Sequence, residues 1–376
     1  MIKKTFHFLY LKRLLCLILI SVTCVSNAVE KDDSVMDKQQ TSVSIKTYAA
    51  SFNATNIQPI KAVIDDNWEQ VVSDNSDFGI SQSKVGLAIG YSNWMILFET
   101  RNDHFLSTSP SSALLYHYSK TDFPANISEY DLNIHYQKLQ AKGIKVGYEW
   151  QLFNRLSMTN VIGFWQPKTH RNSLLTGDVQ STPEVTGSAH LLEWYSYKNL
   201  LKRPIDKTWS DSKGQSWDVN FHWQPVNNLT LDFGVLDLVS EFKFDHIGYS
   251  AGTLQSSTTY RDENNILRFN PAYSGVETEK SYMWKMPKTI YLNASYKIND
   301  IEYYLAHEKR FLNKSAIIGA GMKAGSGQVR AGYDLSNKSL QLKYQNSWIE
   351  AGLVTDKLEI DKSKVLSFTL AASMVF

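Results

Sequence analysis

The chain has 376 residues, 43% of them hydrophobic and 20% charged, with a formal net charge of +2. That length suits two soluble domains or one large barrel, and the balanced charge supplies no bulk basic field, which argues against a nucleic-acid binder. Both cysteines, Cys16 and Cys24, lie in the first 28 residues, so a chain processed there has no disulfide, thiolate–metal site or cysteine nucleophile.

Residues 1–28 read as a secretory signal. Lys3, Lys4, Lys12 and Arg13 precede the apolar run Leu14 to Ile20, and Ser26-Asn27-Ala28 offers small residues to a signal peptidase. The apolar run is shorter than the ~18 residues of a spanning helix. A lipoprotein reading would use Cys24, but Ser21-Val22-Thr23 matches the Leu-x-small-Cys pattern poorly. Cleavage after Ala28 leaves 348 residues and removes four basic side chains and no acid, which takes the charge from +2 to −2.

Residues 29–82 form a polar N-terminal segment. Glu30-Lys31-Asp32-Asp33 and Lys38-Gln39-Gln40 are hydrophilic, and Val43 to Phe52 alternates only partly. The segment is expected to hold either a first strand or a stretch tucked into a lumen, with the barrel itself over residues 83–376. From there period-2 alternation recurs. Tyr130, Leu132, Ile134 and Tyr136 alternate with polar neighbours, as do Ile144, Val146, Tyr148 and Trp150, and then Trp217, Val219, Phe221 and Trp223. Ile290 to Ile298, Val329 to Leu335 and Leu340 to Tyr344 repeat the pattern. These segments run ~9–11 residues, the length of a tilted strand crossing hydrocarbon, where a soluble sandwich would use ~5–6.

Asn227-Asn228, Asn299-Asp300, Gly325-Ser326-Gly327 and Ser336-Asn337-Lys338 supply hairpin turns. Longer polar connections are expected around 102–112, 119–128, 166–187, 198–214, 251–275 and 356–363. This spacing predicts sixteen strands, with 14–18 as bounds. After residue 28 no apolar stretch approaches helix-spanning length, so a membrane crossing requires a closed barrel.

If the sheet closes, the polar faces line a lumen: Asp131, His135, Lys145, Glu149, Asp218, His222, Lys297, Arg330, Asp334, Lys343 and Glu350. The same groups would equally suit a packed interior that passes nothing. The segment 251–275 either folds inward as a constriction, with Arg261, Asp262, Glu263 and Arg268 setting charge selectivity, or stands outside as an exposed loop. Catalytic patterns are thin. Ser188, His190 and Glu193 come nearest to a hydrolase set, and Asp65-Asp66 has no histidine near it. Asp131/His135 and Asp218/His222 stand four apart on a strand, ~13 Å, too far to share one ion. No enzyme, metal or cofactor is expected.

The last strand is the sharpest signal. Phe376, Met374, Ala372, Leu370, Phe368 and Leu366 share one face, and Val375, Ser373, Ala371, Thr369 and Ser367 the other. An export signal joined to a terminal aromatic strand resembles Gram-negative outer-membrane β-barrels. The resemblance implies an all-β, single closed antiparallel transmembrane barrel in the outer membrane. Its implied partners are outer-membrane lipids, the barrel-assembly machinery engaged through the strand ending in Phe376, and an envelope protein; nucleic acid is not among them. The function expected is a porin-like channel for small solutes, with a non-conducting barrel serving an envelope secretion or assembly system, or an outer-membrane hydrolase, as alternatives.

Overall fold

The computed structural model describes residues 42–376 apart from 69, 71, 122–128, 182–184, 198–211, 257–258, 262, 264–266 and 270–271. The expected cleavage site at Ala28 lies outside the described residues, as does Asp262. The wall begins with β1 (Val43–Thr55), β2 (Phe78–Tyr91), β3 (Trp94–Thr108), β4 (Glu129–Phe153) and β5 (Leu156–Ser181). It continues with β6 (Val185–Tyr195), β7 (Ser212–Val226), β8 (Leu229–Ser256), β11 (Ala272–Lys285) and β12 (Thr289–Ile298), while β9 (Thr259–Arg261) and β10 (Leu267–Phe269) pair only with each other. It ends with β13 (Ile301–Arg310), β14 (Asn313–Ala324), β15 (Gly327–Asp334), β16 (Ser339–Gln345), β17 (Ile349–Thr355) and β18 (Val365–Val375). Two short helices, α1 (Ile60–Asp65) and α2 (Pro110–Tyr118), sit in the connections.

Antiparallel pairing runs round the sheet and closes where β1 meets β18, from Ser44↔Val375 to Ala54↔Val365. At that seam the Val43 amide donates to Phe376 O at 3.2 Å, and the Phe376 amide returns a bond to Val43 O at 2.9 Å. The first-strand alternative is therefore the one observed, and the wall starts at Val43 rather than at residue 83. Small residues such as Ala49, Ala50 and Ser51 blur the alternation of β1.

Sixteen strands share the sheet, yet fourteen go round the ring. β7 and β6 occupy one position end to end, since each pairs with β5 and with β8. β12 and β11 do the same along the other edge of β8. The expectation of sixteen counted both halves of two interrupted strands. One interruption falls between Tyr195 and Ser212; the other is Met286-Pro287-Lys288, where proline has no amide to give the ladder.

Three strands far exceed the expected length: β4 has 25 residues, β5 has 26 and β8 has 28. Much of the sequence read as connection at 102–112, 166–187 and 251–275 is strand instead, because chain beyond the exposed apolar band pairs equally well without an apolar face to mark it. Tight turns gather at the opposite end. Ser92, Arg155 and Asn299 take the left-handed backbone of two-residue hairpins, with Gly325 beside them. The outward residues near these turns are apolar and solvent-exposed, Phe98, Ile144, Ile162, Phe164, Leu292 and Leu342 among them. Such a continuous band suits hydrocarbon rather than water.

One close approach fixes a glycine. The Tyr48 ring crosses from β1 over Gly86 of β2, and its hydroxyl donates to Glu99 of β3 at 2.6 Å. A Cβ on Gly86 would stand 2.6 Å from that ring and 2.8 Å from Phe98 O. Gly86→Ala is expected to cost about 1–3 kcal/mol, the range of overpacking, read as a lower temperature of the folded-to-unfolded mobility shift on gels.

Candidate functional site

The inward residues of β3 build the centre of the lumen. Arg101 is fully buried, with Nε 2.7 Å from Asp103 and Nη1 3.0 Å from Asp237. Asp237 reaches it because β8 carries two extra residues against β7: Val219 faces Val235, but Trp217 faces Val239. The bulge puts Asp237 at φ 54° and lets its amide donate to Asp218 at 2.7 Å. Lys145 lies 3.3 Å from Glu99 and 3.1 Å from Asp218. The Trp165 ring takes Arg101 and Lys145 over its faces at 5.1 and 5.2 Å. β3 and β8 are four strands apart in the ring, so the Arg101–Asp237 pair spans the interior rather than lining one wall. Buried charges are tolerable here because each meets its opposite.

An aromatic layer lies above this polar one, towards the long connections. Phe105, Leu139, Phe242, Phe244, Trp284 and Met286 form its buried body. Phe311, in the turn between β13 and β14, has φ 54°, a costly backbone for a bulky residue. Its ring lies 5.2 Å from Phe105. β3 and β13 are six steps apart in a ring of fourteen, so side chains from nearly opposite walls meet at this level.

Towards the tight turns the interior is open and polar. A cavity of about 360 Å³ includes Lys84, Asp237, Tyr291, Glu308 and Gln341. It shares Asn293 and Gln341 with the next space, which holds Asp232, Glu302, Arg330 and Lys343. That space shares Glu302 and Arg330 with a third at the turn end, beside Lys297 and Asp300.

The residues expected to line a lumen fall into three groups. Lys145 and Asp218 belong to the central layer. His222 bonds Asp232 at 2.6 Å, Arg330 pairs Glu302 at 2.9 Å, and Lys343 pairs Glu350 at 2.7 Å. Lys297 sits at the turn-end mouth, Glu149 is exposed near that end, and Asp334 caps the turn at Ser336 and Asn337 and holds Ser315. Asp131 and His135 lie far along β4, His135 on Asn172 at 2.7 Å. β9 and β10 form a hairpin past Ser256, with Arg261 opposite Leu267 and Arg268 opposite Tyr260; Glu263 lies in its turn.

Ser188, His190 and Glu193 do not assemble: Glu193 binds Arg171 and Ser173, while His190 meets Thr253. Asp66 holds Tyr116 and Lys120 instead of pairing with Asp65. Burial, and then this hydrogen bond to Asp66, raises the Tyr116 hydroxyl above its ordinary pKa. Among the described residues no group of three His, Cys, Asp or Glu could hold a metal.

Sequence reasoning missed a pocket on the other side of the wall. α2 starts on Ser109, whose hydroxyl accepts the Ser112 amide, with Pro110 at its first position. Ser109 and Ser112 also donate to Asp131 O, which pins the helix to β4. Between α2 and the outward faces of β4, β5, β6 and β8 lies a cavity of about 410 Å³. Its surface is almost wholly apolar, with Leu115, Leu132, Ile134, Leu175, Leu191 and Leu254 foremost, although serines, Thr186, two tyrosines and Arg171 also line it. Arg171 closes one side, its Nε 2.6 Å from Glu193. The Leu132–Ile134–Tyr136 alternation was legible as a strand face, but nothing local told that a helix rather than lipid covers it.

No family model and no curated protein matches the chain. Among solved structures it is similar to the P. putida toluene transporter TodX, at 8% identity over 89% of this chain and 88% of that one, with a TM-score of 0.37. A TodX deltaS2S3 mutant monoaromatic hydrocarbon channel gives 8% identity, 89% of each chain and 0.42. The translocator domain of autotransporter NalP from Neisseria meningitidis gives 6%, 98% and 95%, and 0.27. With every TM-score below one half, these likenesses carry no argument about activity.

Proposed function

We propose that this protein is an outer-membrane channel for small apolar solutes, with its tight turns towards the periplasm and its long connections outside. The observation that carries the reading is the cavity under α2, whose surface is almost wholly apolar. A concave apolar surface of this size gives an apolar guest dispersion contacts and removes its surface from water. Beyond it the aromatic layer is the barrier, and the polar lumen below would hold an apolar solute only weakly. The polar half by itself also favours a second reading, a porin-like route for small polar solutes.

Leu132→Glu and Leu254→Glu each place a carboxylate in the cavity, where an unpaired charge is costly. In detergent, each is expected to weaken binding of a fluorescent aromatic hydrocarbon at least tenfold, with the heat-modifiable gel shift retained. Proteoliposomes should take up that probe and not a sugar of equal size. Sugar uptake with probe binding unchanged in both variants favours the polar route.

A further inference from the structure

We propose that Ser157, His222 and Asp232 form an ester-hydrolysing site at the turn end of the lumen. They come from three neighbouring strands. Ser157 of β5 lies directly opposite His222 of β7, and His222 lies directly opposite Asp232 of β8. Sequence order scatters the three; the register alone aligns them as nucleophile, base and acid.

All three face inward. Ser157 shares a strand face with Val161, and Val161 stands opposite Asp218 of the central layer. His222 shares its face with that same Asp218, and no register shift separates the two pairs. His222 Nδ1 holds Asp232 Oδ1 at 2.6 Å. The other ring nitrogen, Nε2, therefore points away from β8, towards β5 and Ser157. Directly opposed side chains stand ~5 Å apart at Cβ, a gap that a hydroxyl and an imidazole bridge with one hydrogen bond. Ser157 Oγ has no hydrogen-bond partner among the described residues, so it is free to turn to that nitrogen. Contacts of this kind tighten around substrate.

Asn220 adds the fourth part. It lies two residues from His222 and opposite Thr159, diagonal to Ser157. It leans over Gly234, where a Cβ would stand 2.6 Å from its Oδ1, and accepts the Tyr291 hydroxyl at 2.7 Å. Its Nδ2 is thereby turned back towards β5, as a donor for an oxyanion. The site is open to the lumen. The His222 and Asp232 side chains are 56% and 43% exposed, and Asp232 borders a space of about 340 Å³. Ser157 is buried between its cross-strand neighbours Gln151 and His222, so an acyl group enters beside the imidazole. This room suits an ester of a short acid.

Water is the only co-reactant required. Ser157 Oγ attacks the ester carbonyl carbon as its proton passes to His222 Nε2. The bond to the alcohol oxygen breaks, and that oxygen takes the proton. Water then attacks the acyl carbon and gives a proton to His222. The serine oxygen leaves, recovers that proton, and the acid is released. Asp232 stays ionised and holds the ring in place.

The inference does not rest on the solute that the channel carries, so a failed uptake assay leaves it standing. Protein purified in detergent is expected to hydrolyse p-nitrophenyl acetate, and a fluorophosphonate should label Ser157, located by peptide mass. Ser157→Ala should abolish labelling, and Ser157→Ala and Asp232→Asn should each lower turnover by about a hundredfold, with the heat-modifiable gel shift retained. A second measurement is independent of turnover. Both native cysteines precede residue 28, so Ser157→Cys carries the sole thiol of the processed chain. Iodoacetamide should alkylate it about tenfold faster beside His222 than beside His222→Gln. Turnover unchanged by Ser157→Ala, an unlabelled Ser157, or equal alkylation rates with and without His222 overturns the proposal.

Discussion

Replacing Asp237 with alanine is expected to remove about 3–5 kcal/mol from the stability of the barrel, the cost of breaking a buried ion pair from one side. Arg101 would keep Asp103 at 2.7 Å but lose both contacts to β8, each 3.0 Å. A fully buried guanidinium cannot shed its proton and has no water to turn to. The backbone amide of residue 237 still donates to the Asp218 carboxylate in the variant, so the loss isolates the side-chain pair rather than the bulge. The midpoint of the heat-modifiable shift reads the loss. The companion variant exchanges the whole set, Arg101→Met with Asp103→Leu and Asp237→Leu, and should sit close to wild type, because an apolar set of similar volume strands no charge. Equal losses in both would mean that packing, not charge, holds this layer.

The second large effect is on conduction. Phe105→Ala combined with Phe311→Ala should raise conductance in a planar bilayer at least tenfold over wild type. The two rings meet from nearly opposite walls at 5.2 Å, and each truncation withdraws a benzyl group from the space between. Phe311→Gly separates closure from folding. Glycine takes a φ of 54° without strain, so the β13–β14 turn should hold or gain stability while the gap opens. Unchanged conductance in the folded double variant would place the barrier at the Arg101 layer.

Much of the wall could be read from the sequence, since a period of two is all that a strand between lipid and lumen requires. The alternation ending at Phe376 is the alternation of β18, and Lys145 and Asp218 were both assigned to the inner face. Hidden were the features that depend on numbers rather than pattern. The two residues that β8 carries beyond β7 turn Asp237 inward, and no local signal shows an insertion whose register partner is on another strand. Arg101 and Asp103 fell near a segment taken for a connection, because β3 runs past the lipid to Thr108. The ring size also decided the site. Fourteen strands enclose a narrower interior than sixteen, and only the narrower one lets Phe311 reach Phe105.

The β1–β18 seam has a kinetic consequence. Ser44 pairs with Val375, so the contacts that close the wall join nearly the two extremes of the described chain. Every other neighbouring pair in β12 to β18 is joined by a connection of at most nine residues and can zip locally, while this one must wait for the whole chain. Until then β1 and β18 each present a row of unmatched amides and carbonyls. Water tolerates such an edge, and hydrocarbon does not. A half-zipped intermediate can therefore neither enter the bilayer safely nor linger outside it without recruiting another strand. For the outer-membrane channel proposed above, insertion and closure are thus expected as one coupled event, with the meeting of two strands that are strangers in sequence as its slow step.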